Sequence, residues 1–179
     1  MSFNIILDID DVVLQWQEAY AERFNTKIPK SFRSSNLIKR RLEILTKEKD
    51  FWINIKPKHI PNFTPKAFVS ARGIPKAWTV ESLSKNNNPG RSNVYQVNWG
   101  KSKLELLKSL NVDIFIDDKP ETFYECNKNG VFCLLMDAEH NKKIKTKYRI
   151  FDLNIENIMQ KYESLYDQTK RKTNNKWQV

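Results

Sequence analysis

The sequence predicts an α/β fold in which a mostly parallel sheet is flanked by helices on both faces. Short apolar runs alternate with helical patterns after residue 65, which is the order expected for parallel strands joined by crossover helices. Three apolar runs end in polar residues, at Asp8, Ser70 and Asp117. The chain has 179 residues, which is long enough for one ordinary domain with its own core.

The composition excludes several classes of protein. Two cysteines, Cys126 and Cys133, cannot form the disulfide framework of a small secreted scaffold. Two histidines, far apart in the sequence, argue against a structural zinc site. The first residues lack the basic start of a signal peptide, and no apolar run approaches the roughly 20 residues that span a bilayer. We therefore expect a cytoplasmic protein without a membrane partner.

The charge balance favours a polyanionic partner. The chain has 31 Lys and Arg against 21 Asp and Glu, a net charge of +10. Eight Lys or Arg and two Glu lie between Lys27 and Lys49, which is a local net charge of +6. Nucleotides and nucleic acids suit such a surface, and nucleic acid could contact this segment and the basic residues 170–179. A solvated basic surface without a ligand would have the same composition.

The first part of the chain predicts one strand and two helices. A buried strand over residues 3–7 precedes a helix over 12–25, in which Trp16, Tyr20 and Phe24 share one stripe. Such a stripe is usually core, although aromatic residues among basic groups also suit a base-plus-phosphate ligand. The next segment then predicts a second helix.

That second helix is predicted over residues 34–49, with Leu37, Arg41, Ile44 and Leu45 on one side. The region between the first helix and the second strand carries no strand pattern. We therefore interpret residues 14–65 as a small helical insert.

The remaining elements alternate regularly between strand and helix. Strands are predicted over residues 67–69, 93–97, 112–116, 131–136 and 149–153, the last at a sheet edge. Helices are predicted over 75–84, 102–110, 120–129 and 156–167. Residues 170–179 are basic and polar, and we expect a disordered tail there.

The polar strand ends predict a metal site. Ligands of open α/β sheets bind beyond the carboxyl ends of the strands, so parallel strands would gather Asp8, Asp10, Ser70, Asp117 and Asp118 at one edge. Carboxylates so close together repel one another unless a cation joins them, and oxygen ligands favour Mg²⁺. A carboxylate beside Mg²⁺ can attack phosphorus. Each residue alone is more often a turn or cap residue, so the prediction depends on the joint pattern.

Three segments resemble the motifs of haloacid dehalogenase-like (HAD) phosphatases. Residues 8–13 (Asp-Ile-Asp-Asp-Val-Val) resemble the first motif, 68–72 (Phe-Val-Ser-Ala-Arg) the second, and 114–118 (Ile-Phe-Ile-Asp-Asp) the fourth. The third motif is a lysine at the start of the preceding helix, for which Lys101 and Lys103 are both candidates. Many members carry Gly-Thr after the second aspartate, whereas this chain has Asp-Val.

The resemblance implies a Rossmann-like, HAD-type α/β fold with a small helical cap inserted after the first strand. Residues 1–13 and 66–169 would form the core, residues 14–65 the cap, and residues 170–179 the tail. It also implies a Mg²⁺-dependent phosphomonoester hydrolase. The layout is similar to 5′(3′)-deoxyribonucleotidases and to the 3′-phosphatase domain of polynucleotide kinase-phosphatases. A nucleotide is the expected substrate, with nucleic-acid ends as the alternative. A non-catalytic nucleic-acid-binding module on the same scaffold is the second alternative.

The resemblance also implies roles for individual residues. Asp8 would form an aspartyl-phosphate and bind Mg²⁺. Asp10 would act as acid and base, with its backbone carbonyl toward the metal. Ser70 would hydrogen-bond a phosphoryl oxygen, and Lys103, or else Lys101, would neutralise the phosphoryl group.

The remaining roles concern the metal and the substrate. Asp117 would bind Mg²⁺ directly, and Asp118 would bind it through water or orient the lysine. Arg72 and Lys101 would contact the phosphate of the substrate.

Overall fold

A six-stranded, fully parallel sheet forms the centre of the protein in a computed structural model that describes residues 3–29 and 35–174, with side chains as far as residue 166. The strand order is β3-β2-β1-β4-β5-β6. The strands are β1 (Ile5–Leu7), β2 (Ala67–Ser70), β3 (Val94–Gln96), β4 (Ile114–Asp117), β5 (Cys133–Met136) and β6 (Arg149–Ile150). The predicted α/β class is therefore confirmed, and β6 lies at an edge as expected.

The direction of strand addition reverses beside β1. Leu7 pairs with Phe68 of β2 on one side and with Ile116 of β4 on the other. The residues that follow Leu7 and Ile116 are Asp8 and Asp117, so this register brings the two carboxylates side by side. Such a reversal opens a crevice at the carboxyl ends of the strands, where ligands of α/β sheets bind.

Helices cover both faces of the sheet. They are α1 (Trp16–Arg23), α2 (Asn36–Leu45), α3 (Lys49–Ile53), α4 (Lys76–Lys85), α5 (Leu104–Ser109), α6 (Pro120–Lys128) and α7 (Ile155–Asn174). Along β1, Ile5 and Leu7 join one buried apolar cluster and Ile6 joins the other, as alternation along a strand requires. The first cluster also contains apolar residues of α1–α4 and α7, and the second contains those of α5 and α6.

The insert differs from its prediction in two respects. The single helix predicted over 34–49 is two helices, because the chain turns after Leu45 and Trp52 of α3 packs back, its indole Nε1 donating to the Leu45 carbonyl at 2.7 Å. The predicted buried side of this segment is confirmed at Leu45 and wrong at Leu37 and Ile44. Leu37 and Ile44 are 58% and 46% exposed, whereas the buried apolar residues of α2 are Ile38, Leu42 and Leu45.

The structure describes the two basic regions, residues 27–49 and 170–179, only in part. Residues 30–34, which hold two of the basic residues of the segment 27–49, lie outside the described residues. Helix α7 continues to Asn174 and so includes residues 170–174, where a disordered tail was expected. Residues 175–179 of that tail lie outside the described residues. Within the described ranges, no helix has both the length and the apolar character needed to cross a membrane.

Candidate active site

A buried lysine joins two of the predicted carboxylates. The Nζ atom of Lys103 lies 2.8 Å from Asp8 Oδ2 and 2.8 Å from Asp117 Oδ2, and all three side chains are buried. Lys101, the other candidate, is exposed, and the described contacts do not join it to these carboxylates. Of the two lysines, the structure therefore brings only Lys103 into the cluster.

Local structure explains how Lys103 reaches the carboxylates. Helix α5 begins immediately after it, and Ser102 Oγ accepts a hydrogen bond from the Leu104 backbone N–H at 3.1 Å. Lys103 thus precedes the helix rather than lying in its first turn. Leu104 and Leu107 are buried against the sheet and fix the start of the helix. The Lys103 ammonium also lies 5.5 Å from the centre of the Phe115 ring.

A third carboxylate completes a compact acidic cluster. One carboxylate oxygen each from Asp8, Asp117 and Asp118 lies within 4.8 Å of the other two, and all three residues are buried. One lysine among three carboxylates leaves excess negative charge when all are ionised. The donors are all carboxylate oxygens, which are the ligands preferred by hard divalent cations such as Mg²⁺. This donor set therefore fits the magnesium ion expected from the sequence.

The electrostatics of the cluster reflect its burial. Burial raises the pKa of Asp8 well above its ordinary value, and the nearby Lys103 opposes this shift. The negative charges of Asp117 and Asp118 raise the Asp8 pKa further. Burial by itself lowers the pKa of Lys103, but the charges of Asp117 and Asp8 outweigh it and the net shift is upward. The two carboxylates therefore favour the charged form of Lys103 despite its burial.

His140 is a site residue that the sequence analysis did not assign. Its Nε2 atom lies 3.1 Å from Asp118 Oδ2, and its Nδ1 atom lies 2.8 Å from Nε2 of Gln17. Asn141 donates from Nδ2 to the Asp118 carbonyl at 2.7 Å. Burial lowers the pKa of His140, but the hydrogen bond and charge of Asp118 outweigh it and raise the pKa overall. Burial raises the pKa of Asp118, and the His140 hydrogen bond opposes that shift.

Asp11 closes the turn that connects β1 to α1. Asp11 has a positive φ of 59°, and its backbone N–H donates to the Leu14 carbonyl at 2.8 Å. Asp11 Oδ1 then accepts from the Gln17 backbone N–H at 3.1 Å, which supports the start of α1. This turn occupies residues 11–14, so the first helix begins at Trp16 and not at residue 12 as predicted.

Two residues of the second motif, Ser70 and Arg72, donate hydrogen bonds to the Asp10 carboxylate. Arg72 donates from Nε to Asp10 Oδ2 at 3.0 Å and from Nη2 to Asp10 Oδ1 at 2.5 Å. Ser70 Oγ donates to Asp10 Oδ2 at 3.3 Å. The Arg72 side chain is only 1% exposed, and its Nη1 donates to Thr79 Oγ1 at 3.3 Å. The guanidinium that was expected to contact substrate phosphate therefore contacts Asp10.

An aromatic side chain lies in the loop between β3 and Lys103. This loop starts beside Ser70, whose carbonyl accepts from the Val97 backbone N–H at 3.0 Å. Trp99 is 43% exposed, and its ring lies 3.6 Å from the position that a Cβ atom on Gly73 would occupy. The loop therefore presents an indole near the end of β2.

Comparison with solved structures identifies the fold. The structure of β-phosphoglucomutase from Clostridium difficile matches with a TM-score of 0.54 and 16% identity, over 93% of this chain and 99% of that chain. The UTR4 protein from Saccharomyces cerevisiae matches with a TM-score of 0.42 and 12% identity, over 87% of this chain and 98% of that chain. This chain has a Rossmann-like fold of HAD type. No protein-family model and no curated protein matches the sequence.

The charge cluster predicts that the two lysines contribute differently to stability. In EDTA, we expect K103M to lower the free energy of unfolding by about 3–5 kcal/mol, because it leaves buried carboxylates without their cation. The matched variant K101M removes an exposed ammonium and should stay within about 0.5 kcal/mol of wild type. Urea denaturation measures both. Equal destabilisation by the two variants would contradict this account of the cluster.

The raised pKa of His140 predicts a pH-dependent contribution to stability. Because the folded state binds the proton more tightly than the unfolded state, the contribution is complete below the ordinary pKa of 6.5 and is lost as pH rises through the folded value. The difference in unfolding free energy between wild type and H140N in EDTA should therefore be largest below about pH 6.5 and shrink as the pH rises above it. A difference that does not change with pH would show that the Asp118 contact is not ionic.

Proposed function

We propose that this protein is a Mg²⁺-dependent phosphomonoester hydrolase in which Asp8 is the nucleophile. The observation that carries this proposal is the Lys103 ammonium between Asp8 and Asp117 at the carboxyl edge of the sheet. A fixed cation beside a buried carboxylate lets that carboxylate approach a negatively charged phosphoryl group. A lone acidic pocket without the lysine would repel such a substrate.

The acidic cluster would hold the metal. Asp8, Asp117 and Asp118 would bind Mg²⁺ through carboxylate oxygens, with the Asp10 backbone carbonyl as a further ligand implied by the resemblance. When bound, the ion would offset the negative charges of the carboxylates and of the substrate phosphate. Lys103 supplies the remaining positive charge.

The reaction would proceed in two displacements at phosphorus. A carboxylate oxygen of Asp8 attacks phosphorus, and the bond to the leaving oxygen breaks while Asp10 donates a proton to that oxygen. An aspartyl-phosphate on Asp8 results. Asp10 then takes a proton from water, which attacks phosphorus and releases inorganic phosphate, restoring the Asp8 carboxylate. Ser70 and Lys103 would hold the phosphoryl oxygens in both steps.

The surroundings of the site favour a nucleotide as substrate. Trp99 is a half-exposed aromatic ring in the loop that leads to Lys103, and Lys101 is exposed in the same loop. A planar base stacks well on such a ring while its phosphate enters the cationic site. The net charge of +10 also favours an anionic substrate. The name of one structural neighbour specifies a phosphoglucomutase, so sugar phosphates are the natural comparison.

The central prediction concerns Asp8. Wild-type protein with Mg²⁺ should release phosphate from a nucleoside monophosphate, and D8N should release none, because the amide is not a nucleophile. The matched control is D113N, which alters an exposed aspartate just before the amino end of β4, at the opposite edge of the sheet. It should retain wild-type activity. EDTA should abolish release in all active variants.

The substrate panel separates the alternatives. It contains ribo- and deoxyribonucleoside monophosphates, 3′-phosphorylated oligonucleotides, glucose phosphates and 4-nitrophenyl phosphate. Fastest turnover of the oligonucleotides would replace the nucleotide assignment with a 3′-phosphatase of nucleic-acid ends. Binding of oligonucleotides without release from any substrate would refute the hydrolase and favour the binding module.

A second prediction concerns Trp99. We expect W99A to raise KM for nucleoside monophosphates by about 5- to 150-fold, which corresponds to the roughly 1–3 kcal/mol of a stacked base. KM for glycerol phosphate should not change, and W99F should retain most of the affinity. Y124A removes an exposed ring from α6 and serves as control. An equal rise in KM for glycerol phosphate would contradict a stacking role.

A further inference from the structure

We propose that Trp52 of the insert and Arg72 of the core act together as positioning residues for Asp10. This inference rests on the proposed function, in which Asp10 transfers the proton to and from the reacting oxygens. It extends that function by assigning a residue outside the sheet to the control of the second aspartate.

Arg72 pairs with the Asp10 carboxylate at two points. Two guanidinium nitrogens, Nε and Nη2, donate to the two different oxygens of the carboxylate at 3.0 and 2.5 Å. This two-point pairing fixes the plane of the carboxylate as well as its distance, which a lysine could not do. Ser70 adds a third donor at 3.3 Å. The side chain of Asp10 remains 24% exposed, so it stays open to a substrate.

The Trp52 ring lies against the Arg72 guanidinium. The centre of the Trp52 ring lies 5.1 Å from Cζ of Arg72, the geometry of a cation–π contact. The indole is itself fixed, because its Nε1 donates to the Leu45 carbonyl at 2.7 Å and its ring stacks on Trp16 at 6.5 Å. The ring thus lies against Arg72 while Thr79 accepts from Nη1. A buried guanidinium supported in this way has little freedom to rotate.

The pairing with Arg72 leaves a lone pair on Asp10 for a proton. Each carboxyl oxygen has two lone-pair sites. Oδ1 can therefore bind a proton while it still accepts a hydrogen bond from Arg72. Arg72 is buried whereas the Asp10 side chain is 24% exposed, so part of the carboxyl group stays accessible while Arg72 holds it. Trp52 would act on this geometry through Arg72, without touching the substrate.

The test uses the leaving group of the substrate. An alkoxide needs a proton as it leaves, whereas 4-nitrophenolate leaves readily without one. Hydrolysis of the aspartyl-phosphate also uses Asp10 and is common to both substrates, so the comparison uses kcat/KM, which reports only the steps up to departure of the leaving group. Misplacing Asp10 should therefore lower kcat/KM for a nucleoside monophosphate far more than kcat/KM for 4-nitrophenyl phosphate. We expect R72A to lower the former by about 100-fold or more, within the range of general acid catalysis, and the latter by less than about 10-fold.

Variants of Trp52 test its part in the same experiment. W52L keeps an apolar side chain in the core but removes the aromatic face, and it should shift the two rates in the same direction as R72A by about 10-fold. W52F keeps an aromatic face and should restore the wild-type ratio. The control Y95A removes another cation–π contact, that of Lys76 at 5.9 Å, and should leave the ratio unchanged. Equal losses on both substrates in R72A or W52L would overturn the inference.

A second measurement separates this inference from the proposed function. If wild-type protein hydrolyses no substrate, the proposed function fails, and a double-mutant cycle of W52L and D10N in urea denaturation then decides whether Trp52 acts on Asp10. Coupled effects on the free energy of unfolding would support the positioning contact. Additive effects would overturn it. If wild-type protein is active, the ratio of rates on the two leaving groups decides the inference.

Discussion

The structure of the site depends on the burial of several carboxylates at one edge of a parallel sheet. Carboxylates that lose their hydration and lie a few ångströms apart are strongly unfavourable unless cations accompany them. Lys103 pairs with Asp8 and Asp117, Arg72 pairs with Asp10, and the His140 imidazole, which is a cation only when protonated, lies against Asp118. The three basic groups come from three different segments. The charge balance therefore requires the loops after three strands to be placed correctly relative to β1.

Much of this arrangement follows from the sequence. Apolar runs that end in polar residues predict buried parallel strands, and parallel strands necessarily align their carboxyl ends, so the meeting of Asp8 with Asp117 could be predicted without coordinates. The sequence also favours Lys103 over Lys101, because Lys103 lies at the start of the helix that leads away from the crevice. The same rule applied to β5 would have drawn attention to His140, which follows the end of that strand.

Other features depended on tertiary contacts that no local pattern contains. A single helix over 34–49 is consistent with its periodicity, but the buried hydrogen bond from Trp52 to Leu45 requires a turn between the two residues. The buried side of α2 was predicted at Leu45 but not at Ile38 and Leu42, because the surface that it covers is formed by distant residues. The contacts of Arg72 with Asp10 and with Trp52 could not be predicted from the sequence, because these residues are far apart along the chain.

The apolar residues of the insert belong to the same buried cluster as one face of the sheet. The insert is therefore not a module that could be exchanged by grafting. A chimera with a different insert would leave that face of the sheet bare and would uncover the guanidinium that Trp52 shields. Divergence among chains built in this way is more easily accommodated in the exposed loop that contains Trp99, where replacement of a side chain disturbs neither the core nor the balance of buried charge.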